Sequence, residues 1–112
     1  MIAVIRRRRA KALPPGAIYV GRGSRWGNPY RLEEYGRERA IELYREVTLA
    51  WHPELIEQLR ARVLAVRLAG LEPMLACWCA PEPCHGDVLV DAIEKREAEG
   101  GSASAIRGGE GV

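Results

Sequence analysis

The chain has 112 residues, a formal net charge of +2, three cysteines and two histidines. That length suits a single domain with one modest core, above the size at which disulfides or metals are needed simply to fold. No run of about 18 apolar residues marks a membrane span, the apolar start at residues 1–5 is too short for a secretory segment, and thiols that cannot all pair, with no export signal, point to a reducing cytoplasm.

Ile2 to Ile5 reads as a short strand, and Ala17-Ile18-Tyr19-Val20, entered from the Pro14-Pro15-Gly16 turn, as a second. Residues 21–30, Gly-Arg-Gly-Ser-Arg-Trp-Gly-Asn-Pro-Tyr, are too rich in glycine, asparagine and proline to be anything but a loop. Between Glu33 and Trp51, apolar Ala40, Ile41, Tyr44, Val47 and Trp51 recur every three or four positions, which predicts one helix. A second helix opens at Pro53, carries Leu55, Ile56, Leu59, Val63 and Val66 as its stripe, and stops at Gly70. The segment from Pro73 to Cys79 reads as a strand whose alternation sends Cys77 and Cys79 to one face and Trp78 to the other. Pro81 and Pro83 then interrupt the chain. A third helix begins near Cys84 to Gly86 and runs through Val88, Leu89, Ala92 and Ile93 to about Glu99.

Residues 100–112 lack apolar periodicity and are expected to form a disordered tail. The order of elements predicts a small layered α/β domain over residues 1–99, with a short, mostly parallel sheet of about three strands and about three helices. The strands ending at Val20 and Cys77 are expected to pair in parallel.

Charge is unevenly spread. Residues 1–31 hold Arg6, Arg7, Arg8, Arg9, Lys11, Arg22, Arg25 and Arg31 and no acid, a charge of +8; the other nine basic residues stand against all fifteen acids, a charge of −6. Such polarity suggests that the first third faces an anion such as phosphate or nucleic acid. The alternative is that arginine is simply abundant in this chain.

All three cysteines and one histidine fall within nine residues, as Cys77-Trp78-Cys79-Ala80-Pro81-Glu82-Pro83-Cys84-His85-Gly86-Asp87. Cys77, Cys79, Cys84 and His85 make a Cys3His inventory suited to tetrahedral zinc, although the spacing is unusual and the adjacent Cys84 and His85 tend to point apart. A second reading is nucleophilic. At the start of a helix the Cys84 thiol would be acidified by unpaired backbone N–H groups, with His85 or His52 as base and Asp87 orienting an imidazole. A third is structural, the thiols packing as small apolar groups and the histidine helping to cap a helix.

The loop offers Arg22 and Arg25 as forked phosphate donors, Trp26 as a stacking face, Asn28 to bond a base edge, and Ser24 as a further polar group. The competing reading makes it a rigid connector with Trp26 plugged into the core. In a parallel sheet both segments leave the carboxyl ends of their strands, where ligands collect. One site built from both is therefore expected.

Gly21 through Pro29 and Cys77 through Leu89 together resemble a family of small bacterial and phage proteins, domain of unknown function number 4326. Its members pair a Gly-Arg-x-Ser-x-Trp-Gly-Asn-Pro loop with a Cys-Trp-Cys-x-Pro-x-x-Cys-His-Gly-Asp-x-Leu segment. The resemblance implies a domain frequent in phage genomes and favours a role with nucleotides or nucleic acids, without supplying a reaction. The leading expectation is a zinc-binding domain whose basic loop binds a nucleotide or nucleic acid, with base or nucleotide modification at Cys84, His85 and Asp87 if it is an enzyme. A metal-free thiol enzyme and a non-catalytic nucleic-acid-binding or interaction module are the alternatives.

Overall fold

A computed structural model describes residues 2–9, 11–80 and 82–107, with side chains as far as residue 99. Three strands, β1 (Ala3–Arg6), β2 (Ala17–Tyr19) and β3 (Met74–Cys77), form one parallel sheet in the order β1-β3-β2. Leu75, Ala76 and Cys77 of the central strand are all buried, as the unbroken apolar run of a strand paired on both edges requires. The ladder extends one residue beyond β3's neighbours: Arg7 N–H donates to Cys77 O at 2.7 Å and Val20 N–H to Ala76 O at 2.9 Å. Because the strands run the same way, Arg7, Gly21 and Trp78 all leave the sheet at its carboxyl edge.

The helix expected over residues 33–51 is divided. Gly36, at φ 79°, separates α1 (Leu32–Tyr35) from α2 (Arg37–Leu43), a left-handed conformation that glycine adopts without a side-chain clash. From Tyr44 to Leu49 the helix is wound more widely, as a π-helix. That winding rotates the apolar stripe. Ala40 and Tyr44 are buried as expected, but Val47 and Trp51 are 36% and 77% exposed, and Leu49 packs on the core instead.

α3 (Glu54–Leu68) buries Ile56, Leu59 and Val63 along the expected stripe, and Gly70 follows it. α4 (His85–Arg107) starts where expected and is helical as far as Arg107; residues 108–112 of the segment read as a tail lie outside the described residues. Val88, Leu89 and Ile93 of α4 join Ile18, Val20, Leu75, Leu59 and Tyr44 in one core, each side chain contributing about 1.5–3 kcal/mol by burial. The α/β class and the parallel pairing of the Val20 and Cys77 strands stand as read from the sequence. Among the described residues, no helix is long and apolar enough to cross a membrane.

Candidate functional site

Residues 21–30 close in two successive turns, with Ser24 N–H donating to Gly21 O and Gly27 N–H to Ser24 O, both at 3.1 Å. Most side chains of this loop are used internally. The Ser24 hydroxyl donates to Gly21 O at 2.7 Å. Trp26 is buried in the core, its indole N–H donating to Leu55 O at 2.9 Å, while its own carbonyl accepts the Tyr44 hydroxyl at 2.6 Å. Burial pushes the Tyr44 hydroxyl's pKa up, so it stays a donor. Asn28 spans the loop, donating to Ala40 O at 3.0 Å and accepting Tyr30 N–H at 2.9 Å. Arg25 turns away to Gln58 on α3. Arg22 is exposed and, like Arg25, makes no ion pair among the described residues.

The cysteine turn can be sorted in the same way. Asp87 and Cys84 form a reciprocal cap at the start of α4: Cys84 N–H donates to the Asp87 carboxylate at 3.1 Å and Asp87 N–H to Cys84 O at 3.0 Å. A Cβ on Gly86 would lie 3.1 Å from Val4 Cγ1 and 3.3 Å from the Cys84 sulfur, so glycine lets α4 approach β1 closely. His85 is buried edge-on to the Tyr44 ring, and its Nε2 lies 2.7 Å from Val20 O. Only a protonated Nε2 can bond a carbonyl, which fixes the tautomer. Burial holds the imidazole's pKa below its ordinary value, so it is neutral near pH 7.

What remains is a pair of sulfurs. Cys77 Sγ and Cys84 Sγ are 3.0 Å apart, both thiols being free and buried. The Cys84 S–H, followed by the backbone N–H groups of Cys79 and Ala80, stabilises a thiolate on Cys77 and lowers its pKa to about 6 against the opposing effect of burial. The Cys84 thiol is correspondingly pushed up by its contact with Cys77 and by burial, although Gly86 N–H also reaches its sulfur at 3.3 Å. The two thiols are therefore a coupled pair, in which a proton held between the sulfurs favours a thiolate on one of them.

These groups share a cavity of about 170 Å³, lined by Arg22 and Asn28 from the loop, Arg37 from α2, and Cys77, Cys79 and Cys84 from the turn. Trp78 and His85 also line it, beside apolar Leu32 and Ile41. Arg37 donates to Pro83 O at 2.8 Å and pairs with Glu82 at 2.8 Å, and its interaction with the Cys79 sulfur raises its pKa above the usual arginine value. Two larger hollows, of about 460 Å³ beside α4 and about 390 Å³ around Trp51 and His52, contain no thiol. Size is a poorer guide here than chemistry, because only the smaller cavity joins sulfur to cations.

The two segments thus meet at the carboxyl edge, as the sequence led us to expect, but with different membership. Ser24, Arg25 and Trp26 do not reach the cavity; Trp26 is the core plug of the competing reading. Cys77, Cys79, Cys84 and His85 all line the cavity, with His85 Nε2 donating to Val20 O. Among the described residues no group of three or more His, Cys, Asp or Glu side chains is placed to hold a metal. His52 lies in another hollow beside Glu54, so it is no base for Cys84. Asp87 caps a helix rather than orienting an imidazole.

The strand alternation expected for Cys77, Trp78 and Cys79 fails because β3 ends at Cys77 and the chain bends there, bringing all three to the cavity. Arg37 and Trp78 line the cavity but are absent from the set that the sequence singles out. Arg37 carries no local signal, since only folding brings α2 to the turn, whereas Trp78 stands within the cysteine segment and strict alternation sends it to the wrong side.

The model of a family described as a domain of unknown function (DUF4326) matches residues 4–95 of the chain. An uncharacterized 12.4 kDa protein in the nrdA-td intergenic region of Enterobacteria phage T4 is 30% identical over 82 residues, covering 70% of this chain and 68% of its own length. No solved structure matches.

Proposed function

The chain belongs to the DUF4326 family, which brings no known reaction with it, and from the chemistry of the cavity we propose that it is a thiol enzyme acting on a phosphate-bearing substrate of the nucleotide class. Arg22 and Arg37 hold the phosphate, and Cys77 is the nucleophile. The observation that carries this reading is the 3.0 Å separation of the Cys77 and Cys84 sulfurs in a cavity that also contains two guanidinium groups.

The Cys77 thiolate donates an electron pair to an electrophilic carbon of the substrate, forming a C–S bond. The electrons displaced onto that carbon's neighbouring heteroatom take up the proton of Cys84. That heteroatom departs as the neutral, protonated leaving group; water then attacks the sulfur-bound carbon and gives one proton back to Cys84, while the C–S bond breaks and its electron pair returns to Cys77. This replaces Cys84 as nucleophile and a histidine as base, because His85 Nε2 donates to Val20 O and His52 lies beside Glu54 in another hollow, while His85 and Asp87 become positioning residues. A cavity of about 170 Å³ is smaller than typical ligand pockets of about 300–1,000 Å³, so it suits a phosphate and the reacting atoms, with the rest of the ligand outside. The unbalanced positive charge of residues 1–31 favours the same anionic substrate.

The thiol reading ranks ahead of zinc because, among the described residues, no three His, Cys, Asp or Glu side chains stand together as a metal-holding group, whereas two sulfurs are in contact. Zinc content after dialysis, with alkylation mapped by mass spectrometry, tests this. A protein without stoichiometric zinc in which iodoacetamide labels Cys77 first at mildly acidic pH supports it. One tightly held zinc per chain, with thiols inert until chelator is added, overturns it, and so does preferential labelling of Cys79.

A further inference from the structure

The carboxyl edge of the sheet carries a second constellation, outside the sulfur chemistry. Arg7, fixed by its backbone bond to Cys77 O, places its guanidinium 4.9 Å from the Tyr19 ring centroid and 5.7 Å from that of Trp78. The Trp78 indole N–H donates to the Tyr19 hydroxyl at 3.0 Å, and that hydroxyl donates to Arg22 O at 2.6 Å. Trp78 is nevertheless 45% exposed. A large aromatic ring is thus held in one orientation at the mouth of the cavity and left open to water.

Cations surround it. Arg6, Arg8, Arg9 and Lys11 are exposed, and none of the eight basic residues in the first 31 makes an ion pair among the described residues. Parallel topology explains the clustering: Arg6 to Arg9 continue from the end of β1, Arg22 follows β2 and Trp78 follows β3. Unneutralised arginines beside a fixed aromatic face suit a ligand that alternates phosphates with flat, unpaired bases.

We infer that this edge is a docking surface for single-stranded nucleic acid, with a base stacked on Trp78 and the flanking phosphates on Arg22 and the Arg6–Arg9 segment. A duplex keeps its bases stacked on one another and cannot offer a face to Trp78. An acidic peptide could use the arginines but would have no need of the ring. The inference goes beyond the thiol chemistry, since docking requires no cysteine.

Fluorescence-anisotropy titration of labelled single-stranded DNA and RNA, with the matching duplex and polyglutamate as competitors, tests it. Tight binding of a single strand of either kind is expected, weakening steeply as salt rises. Trp78→Ala should weaken it about 5- to 150-fold, and Trp78→Phe, which keeps a ring but loses the bond to Tyr19, should retain most of the affinity. Arg8→Ala with Arg9→Ala should weaken binding and reduce the salt dependence by about 0.7 in log–log slope for each phosphate that is no longer neutralised. Cys77→Ser should bind normally, so failure of the thiol chemistry and failure of docking are separable. Absence of binding at low salt, equal binding of the duplex, or binding unmoved by Trp78→Ala overturns the inference.

Discussion

Replacing Cys84 with alanine removes the strongest influence on the Cys77 thiol. In the folded protein the Cys84 S–H, 3.0 Å away, leads the groups that bring Cys77 to about 6. Without it, the backbone N–H groups of Cys79 and Ala80 still favour the thiolate and burial still opposes it. The midpoint should therefore rise toward the ordinary cysteine value of about 8.5. At pH 7 the thiolate fraction would fall from about 0.9 to as little as about 0.03, roughly thirtyfold. A single-point alkylation rate would hide most of this, because a more basic thiolate is intrinsically more nucleophilic, with a Brønsted slope of about 0.4–0.5. The informative assay is the midpoint itself, from thiolate ultraviolet absorbance against pH with Cys79→Ser as background. Cys84→Ser, which still offers a donor, should keep a low midpoint, whereas Cys84→Ala should raise it by about one to two and a half pH units. An unchanged midpoint in Cys84→Ala would refute the sulfur-pair argument.

Three further outcomes follow from the same geometry. Trp26→Ala should cost about 3–5 kcal/mol in urea unfolding, because the ring is buried and its N–H and carbonyl brace Leu55 and Tyr44; a loss under about 1 kcal/mol would mean that Trp26 is not the plug. Asp87→Ala should cost about 0.5–2 kcal/mol through removal of the cap, and since its carboxylate disfavours the Cys77 thiolate, the thiol midpoint should not rise; a rise would contradict the capping role. Burial holds the His85 pKa below its unfolded value, so below about pH 6.5 the unfolded chain takes up a proton that the folded one does not. Stability should then fall with pH, by at most about 1.4 kcal/mol per unit from this group, and not at all from it above that range. Unfolding midpoints across this range should decline less steeply in His85→Gln; equal slopes would contradict the assignment.

Much of the edge-building framework is legible from local pattern. The apolar run at Leu75-Ala76-Cys77, the Ile56-Leu59-Val63 stripe and the turn residues around Gly21 each carry their signal within a few positions. Parallel topology then requires that the two loops meet. The division of residues 33–51 is harder to read, since Gly36 interrupts a periodicity that a helix can tolerate, and the π-winding after Tyr44 rotates Val47 and Trp51 outward without altering their spacing. Site membership is the least readable part. Arginine, tryptophan and asparagine in a glycine loop suit a ligand and a brace equally, and only hydrogen-bond partners separate Trp26 and Asn28 from Arg22. A Cys3His inventory likewise says nothing about direction, and only the folded chain shows that one imidazole nitrogen donates to Val20 O while the Cys77 and Cys84 sulfurs meet.

Because Arg22 follows β2 and Cys77 ends β3 but both line one cavity, the most direct test is phosphate protection. Alkylation of Cys77 is followed with and without a nucleoside monophosphate, in the natural protein and in Arg22→Ala. The account requires the monophosphate to slow the reaction in the natural protein, the unphosphorylated nucleoside to do so far less, and the protection to disappear in Arg22→Ala while folding stability is unchanged. Protection that survives loss of Arg22, or none at all in the natural protein, would contradict it.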